Sequence, residues 1–261
     1  MSAQTHTSDP RILGRRTLER DHGRLAALLR PGMHVLDVGC GTGAITAGIA
    51  RAVGGTGRTV GIDRDAALLA VARESHGGIP ALWFEEHDVL ALEASGDFDV
   101  ANAARVLQWI DRPGDALERM KAAVRAGGLV VALDYSHARL GWEPTPPRAV
   151  TRFHAAFLAW RAAHGWDNLM ADHLPSLFAK AGLADVTVSV EDEIAEAGDA
   201  GFAEALGVWR AVIEGIGQTV VRAGALGEAE RAEALAAYDR WCAGEARRLA
   251  LVLRAVVGRV R

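Results

Sequence analysis

In the run Val35-Leu36-Asp37-Val38-Gly39-Cys40-Gly41-Thr42-Gly43, a short apolar strand carries a carboxylate and ends in a glycine loop. The helical stretch Ala44 to Val53 follows, so the loop lets a ligand approach backbone amides at a helix N-terminus. Gly39-x-Gly41-x-x-Ala44 also fits the dinucleotide fingerprint, which makes a nicotinamide or flavin enzyme the competing reading. Asp37 speaks against it. A carboxylate there repels a pyrophosphate and favours a ligand bearing an ammonium or a sulfonium. A second acid, Asp63, ends the apolar run Val60-Gly61-Ile62, where it can accept from both hydroxyls of a ribose or, as a plainer role, cap the next helix. Tyr135 and His137 follow the fifth strand and offer a phenol and an imidazole for proton transfer, with His154 and His164 as weaker rivals.

Strands and helices alternate from Met33 to about Tyr135, the pattern of a mostly parallel sheet with helices on both faces. Arg11 to Leu29 reads as one helix packed on that sheet through Leu18, Leu25, Leu28 and Leu29, ended by Pro31-Gly32. Ser136 to Pro147 is rich in glycine and proline and reads as a loop, and Arg148 to His164 as an inserted helix. Leu174 to Ala181 and the alternating Ala184 to Val190 restore a helix and a sixth strand. Phe202, Leu206, Trp209 and Ile213 mark a further helix, Leu235, Tyr238 and Trp241 another, and Leu249 to Val257 a closing strand. The expected organisation is one composite domain. Residues 1–30 form a tail and lid helix, 31–135 the cofactor-binding α/β core, 136–170 an insertion, and 171–261 the rest of the sheet with a helical insertion at 197–247.

These motifs, in this order, resemble the class I S-adenosylmethionine-dependent methyltransferases of the small-molecule type, closely from Arg30 to Leu133 and loosely beyond. The resemblance implies an α/β, Rossmann-like, seven-stranded sheet, mostly parallel, with helices on both faces and a helical cap. Val256-Val257-Gly258-Arg259 would supply its antiparallel last strand. It implies S-adenosyl-L-methionine as cofactor, held by Asp37 and by Gly39, Cys40, Gly41, Thr42 and Gly43. Asp63 becomes the ribose ligand, with Arg64 beside it. Asp88 and Val89 fall where the family receives adenine, and Ala104 and Arg105 lie beside the cofactor. The acceptor would be an O, N or C atom of a small molecule. His137 or Tyr135 would act only where that acceptor must lose a proton, since the family has no universal base. Asn102-Ala103-Ala104-Arg105 lacks the Asn-Pro-Pro-Tyr pattern of adenine or glutamine methylation, and no carboxylate set accompanies Asn102 to suggest a metal. An NAD(P)-dependent oxidoreductase and a non-catalytic cofactor-binding or regulatory protein are the alternatives.

Trp142, Trp160, Trp166, Trp209 and Trp241 all lie outside the cofactor half. The helical segments Arg148 to His164 and Gly201 to Trp241 are therefore expected to form an acceptor pocket over the C-terminal strand edge, in competition with a plain aromatic core. The net charge of -4 over 261 residues argues against broad nucleic-acid binding. Arg, Asp, Glu or Gly interrupts every apolar run before it reaches bilayer length. The polar stretch Met1 to Pro10 resembles neither a signal peptide nor an anchor and reads as a disordered tail. A cytoplasmic monomer or homodimer follows, with Cys40 and Cys242 as free thiols.

Overall fold

A computed structural model describes the backbone of Pro10–Arg261 and the side chains there except those of Arg11 and Ile12. The expected tail thus lies, apart from Pro10, outside the described residues. From the N-terminus, α1 (Pro10–Leu13), α2 (Leu18–Asp21) and α3 (Gly23–Leu28) precede β1 (His34–Val38), α4 (Ala44–Val53) and β2 (Arg58–Asp63). Next come α5 (Ala66–His76), β3 (Leu82–Glu86), β4 (Phe98–Ala104), α6 (Pro113–Ala123), β5 (Val124–Tyr135), β6 (Gly141–Glu143) and α7 (Arg148–Ala163). The chain continues through α8 (Met170–Lys180), β7 (Ala184–Val190), β8 (Glu193–Glu196), α9 (Phe202–Ala211), α10 (Gly217–Arg222), α11 (Glu228–Gly244), β9 (Arg248–Leu251) and β10 (Leu253–Arg259). Contacts divide it into two compact units. The first holds the chain through Asp134, Met170–Val190 and Arg254–Arg261, and the second holds Tyr135–Leu169 and Glu191–Leu253.

The first unit is built on a seven-stranded sheet in the order β3-β2-β1-β4-β5-β10-β7, with β10 antiparallel to β7. This is the Rossmann-like sheet with a reversed last strand that the sequence implied. Strands buried on both faces are apolar at successive residues, and here alternate residues serve opposite cores. Leu36, Val38, Ala101, Ala103, Val130 and Ala132 pack with Leu117, Met120 and Phe178. Val35, Val100 and Val131 pack with Leu18, Leu25, Ile45, Ile49 and Val53. Helix α4 is buried almost all round, because Leu18 lies across Gly48, where a Cβ would stand 2.6 Å from the Leu18 Cβ.

Two expectations about this unit are corrected. The single helix over Arg11 to Leu29 is three short ones. Thr17 caps α2 by accepting from the Arg20 amide, and His22 breaks the helix at φ -154°. The expected closing strand is two strands in different sheets, β9 and β10, separated at Val252. The Leu253 amide is held by Asp192 Oδ1 at 2.9 Å where the second begins.

In the second unit, β6, β9 and β8 form a small antiparallel sheet, so Ser136 to Pro147 is not all loop. Helices α7, α9 and α11 and the π-helical turn Val212–Ile216 bury Phe153, Phe157, Trp160, Trp209, Ile213, Tyr238 and Trp241. Trp209 meets Phe157, Trp142, His154 and His137 edge to face. These aromatics form a packed core, the plainer of the two readings of their helical spacing. Phe157 is 1% exposed, so Phe157→Ala should destabilise this unit by about 3–5 kcal/mol. Denaturant unfolding checks it, and an unchanged midpoint would move Phe157 from core to pocket wall.

Candidate functional site

Parallel pairing sets the C-terminal tips of four strands side by side. Val38 of β1 pairs with Ile62 of β2 and Ala103 of β4, and Asp63 pairs with Glu86 of β3. The glycine loop, Asp63, Asp88 and Arg105 therefore gather at one sheet edge of the first unit. The strand order reverses beside β1, which is where open α/β sheets bind ligands.

Gly39, Gly41 and Gly43 have φ of 65°, 55° and 76°, the left-handed region that glycine enters without strain. Gly43 caps α4, and a Cβ there would lie 2.6 Å from the Phe84 ring. The loop is also fastened from β2. Asp63 Oδ2 accepts from the Gly41 amide at 2.8 Å, and Oδ1 accepts from the Asp65 amide at 2.9 Å. The helix-cap role falls to Asp65, which accepts from Ala67 and Leu68. Asp63 is half-buried and Arg64 exposed. Asp88 is exposed and accepts from the Leu90 amide at 2.9 Å, with Val89 buried behind it. Thr42 is buried, and burial together with Asp37 and Asp63 holds the Cys40 thiol well above its ordinary value. Ala104 is half-buried. Arg105, with a φ of 63°, is buried and donates to the Asp21 carbonyl at 3.1 Å.

Asp37 stands deeper than the loop. It is 3% exposed, its Oδ2 accepts from Thr46 Oγ1 at 2.6 Å, and its Oδ1 accepts from Asn102 Nδ2 at 2.7 Å. The Asn102 carbonyl oxygen in turn lies 2.8 Å from His22 Nε2. Burial raises the Asp37 pKa to about 6 against the two hydrogen bonds, with Asp63 adding to the rise. Burial lowers the His22 pKa to about 4, against the Asn102 hydrogen bond and with the Arg105 charge assisting. The buried chain Thr46–Asp37–Asn102–His22 was not foreseen beyond Asp37. A polar residue in the middle of the apolar run Phe98 to Ala104 is its one mark in the sequence.

Tyr135 and His137 belong to the second unit. The Tyr135 hydroxyl donates to Glu193 Oε2 at 3.4 Å, and the His137 ring lies 5.6 Å from those of Tyr135 and Phe157. His154 Nε2 lies 3.2 Å from the His137 carbonyl oxygen, and burial lowers the His154 pKa. Among the described residues, no group of three or more His, Cys, Asp and Glu side chains could hold a metal ion, and no helix is long and apolar enough to cross a membrane.

A family model described as "Methyltransferase domain" matches residues 29–171. The chain is 33% identical over 113 residues to the demethylmenaquinone methyltransferase of Staphylococcus aureus, covering 43% of this chain and 47% of that protein. It is 36% identical over 112 residues to the trans-aconitate 2-methyltransferase of Deinococcus radiodurans, covering 42% of each. The chain thus spans less than half the length of these relatives. Its fold is similar to that of the Haemonchus contortus phosphoethanolamine N-methyltransferase 2 solved with S-adenosyl-L-methionine. The TM-score is 0.56 at 16% identity, covering 93% of this chain and 50% of that one.

Proposed function

Because the chain belongs to the methyltransferase-domain family, we propose that it transfers a methyl group from S-adenosyl-L-methionine to an O, N or C atom of a small molecule. The observation that carries this reading is the glycine loop tied through the Gly41 amide to Asp63 at the strand-order reversal. The residues fit the cofactor. Each Asp63 oxygen accepts one backbone amide and keeps a further lone pair for a ribose hydroxyl. Exposed Asp88 is available to an adenine amino group, and Ala104 and Arg105 close the β4 side. Asp37, buried and hydrogen-bonded, acts by anchoring the strand tips and by its charge.

Bound there, S-adenosylmethionine supplies a methyl carbon already activated by a sulfonium leaving group. The chain's own work is positioning: the glycine loop, Asp63 and Arg105 fix one reactant, and alignment with the acceptor supplies much of the acceleration. Where the acceptor carries a proton, Tyr135 or His137 takes it. Acceptor choice belongs to the second unit, whose residues lie largely beyond the aligned stretch. A cytoplasmic location and a small-molecule partner complete the reading.

Calorimetric titration with S-adenosylmethionine, S-adenosylhomocysteine and NADH tests it. The first two should bind and NADH should not, and the reverse would make the chain an oxidoreductase. Asp63→Ala should weaken cofactor binding by about 1.5–3 kcal/mol, the scale for lost charged hydrogen bonds. Unaltered binding would leave Asp63 as a loop fastener alone. A screen of small acceptors with methyl-labelled cofactor, followed by mass location of the label, identifies the acceptor atom. Cofactor binding without transfer to any acceptor would favour a regulatory protein.

A further inference from the structure

The two edges of the seven-stranded sheet are guarded unequally. At one end lies β3, five residues long and closed by Glu85 and Glu86, charges of the kind that deter a further strand. Its exposed Trp83 carries the Arg58 guanidinium over the ring. At the other end lies β7, seven residues long and without lysine or proline, where Val188 is 49% exposed and Val190 67%. A free edge of this kind is a template for pairing with another chain.

The ladder to β10 decides which backbone groups of β7 face outward. The Glu191 amide donates to the Leu253 carbonyl at 3.1 Å, and bonded residues alternate along an antiparallel pair, so Ser189 and Thr187 face β10. Val186, Val188 and Val190 turn their N–H and C=O groups to the open edge, where no further strand lies among the described residues. Their side chains share one face of the strand, opposite Thr187 and Ser189.

We propose that β7 pairs antiparallel with β7 of a second copy of this chain, joining the two sheets edge to edge about a two-fold axis at Val188. A two-fold contact must be self-complementary, and this strand is. In the register centred on Val188, Val188 faces Val188 and Val186 faces Val190, so each outward amide meets an outward carbonyl and the exposed valines cover one another. On the other face Thr187 meets Ser189, a pair that hydrogen-bonds across strands. This run from 186 to 190 stops short of Asp185, whose φ of 52° takes the backbone out of the extended form.

Charge favours the same arrangement. Lys180 precedes the start of β7, and Arg259 lies opposite Ala184 there with Arg261 just beyond. Glu191 and Asp192 follow the other end, beside Arg254. An antiparallel mate lays the basic end of each strand on the acidic end of the other, whereas a parallel mate would oppose like with like. Asp185 and Glu191, the next residues out, are like charges across the pair, and Arg259, 3.4 Å from Asp185, offsets them.

Sedimentation velocity over a concentration series tests the proposal. The mass of the parent should rise with concentration from that of one chain to that of two. Val188→Lys sets a charge at the centre of the edge, and Val188→Pro removes an outward amide, a loss that an edge strand tolerates. Each should raise the dissociation constant at least about tenfold, the scale of one lost hydrogen bond or apolar side chain, while dilute protein melts as the parent does. If the proline variant fails to fold, the lysine variant decides. Register is read separately: under mild oxidation Val188→Cys should cross-link two copies beyond the parent's background, since the Cα atoms of a bonded pair lie about 5.5 Å apart. Val190→Cys, which faces Val186, should not.

A parent that stays a single chain at every concentration overturns the proposal and leaves the edge to a strand of another protein. A dimer that survives Val188→Lys overturns it by placing the interface elsewhere. Cross-linking through Val190→Cys in preference to Val188→Cys overturns the register, and with it the match of the outward groups.

Discussion

Gly43→Ala should destabilise the protein by about 2–5 kcal/mol, because two costs fall on one Cβ. Holding alanine at a φ of 76° costs about 1–2 kcal/mol. The added carbon would also stand 2.6 Å from the Phe84 ring and 3.1 Å from the Ala72 Cβ, both in the well-packed cluster with Leu69 and Leu82. Overpacking such a site costs about 1–3 kcal/mol more. Gly96 supplies the comparison in the same unit, since its φ is 64° and nothing lies within 4 Å of its would-be Cβ. Gly96→Ala should show only the first cost. Denaturant midpoints of the two variants separate the terms, and equal losses would mean that the Phe84 contact relaxes freely.

The second large effect concerns pH and is concealed in the parent protein. His22 titrates near 4 when folded, below its ordinary 6.5, so the unfolded chain holds the extra proton between those values. Its contribution to stability therefore grows as pH rises from about 4 to 6.5. Asp37 titrates near 6 when folded, above its ordinary 3.8, so here the folded chain holds the extra proton. Its contribution is greatest below about 3.8 and is lost as pH rises to 6. Over the shared range the two slopes oppose each other. Removing one partner exposes the other: relative to the parent, His22→Gln should lose stability from pH 4 to 6.5, and Asp37→Asn should gain it from pH 4 to 6. Each excursion is on the order of 3 kcal/mol. Urea midpoints at pH 4.5 and 6.5 check it, and parallel profiles for the two variants would show that the groups do not titrate as described.

Much of the first unit was legible because parallel strands buried on both faces leave unbroken apolar runs, and glycines mark the turns at their tips. Ala184 to Val190 coincides with β7 because its period-two alternation is undisturbed. The three-stranded sheet of the second unit left no such trace. Gly141–Glu143 spans three residues, too few for a periodicity, and β8 carries glutamate at both ends. The single apolar run Leu249 to Val257 gives no sign that its halves serve different sheets, since strand pairing is decided by partners far along the chain. His22 is the sharpest case. In the single helix read over Arg11 to Leu29 it shares a face with Leu18 and Leu25, but nothing local marks what it bonds, since its partner lies 80 residues away. The left-handed turn at Arg105 was equally hidden, because arginine has no preference for it.

The backbone passes between its two units at four places, after Asp134, Leu169, Val190 and Leu253. The second unit is thus two excursions from a sheet that keeps β7 and nearly all of β10 for itself. No terminal truncation can remove it cleanly, because the chain must return each time to finish the sheet. A chimera meant to exchange this unit with that of a relative has to move both excursions together, joined at those four seams. A single nick within either excursion leaves its two ends rooted in the same sheet, so the pieces stay together until the protein unfolds.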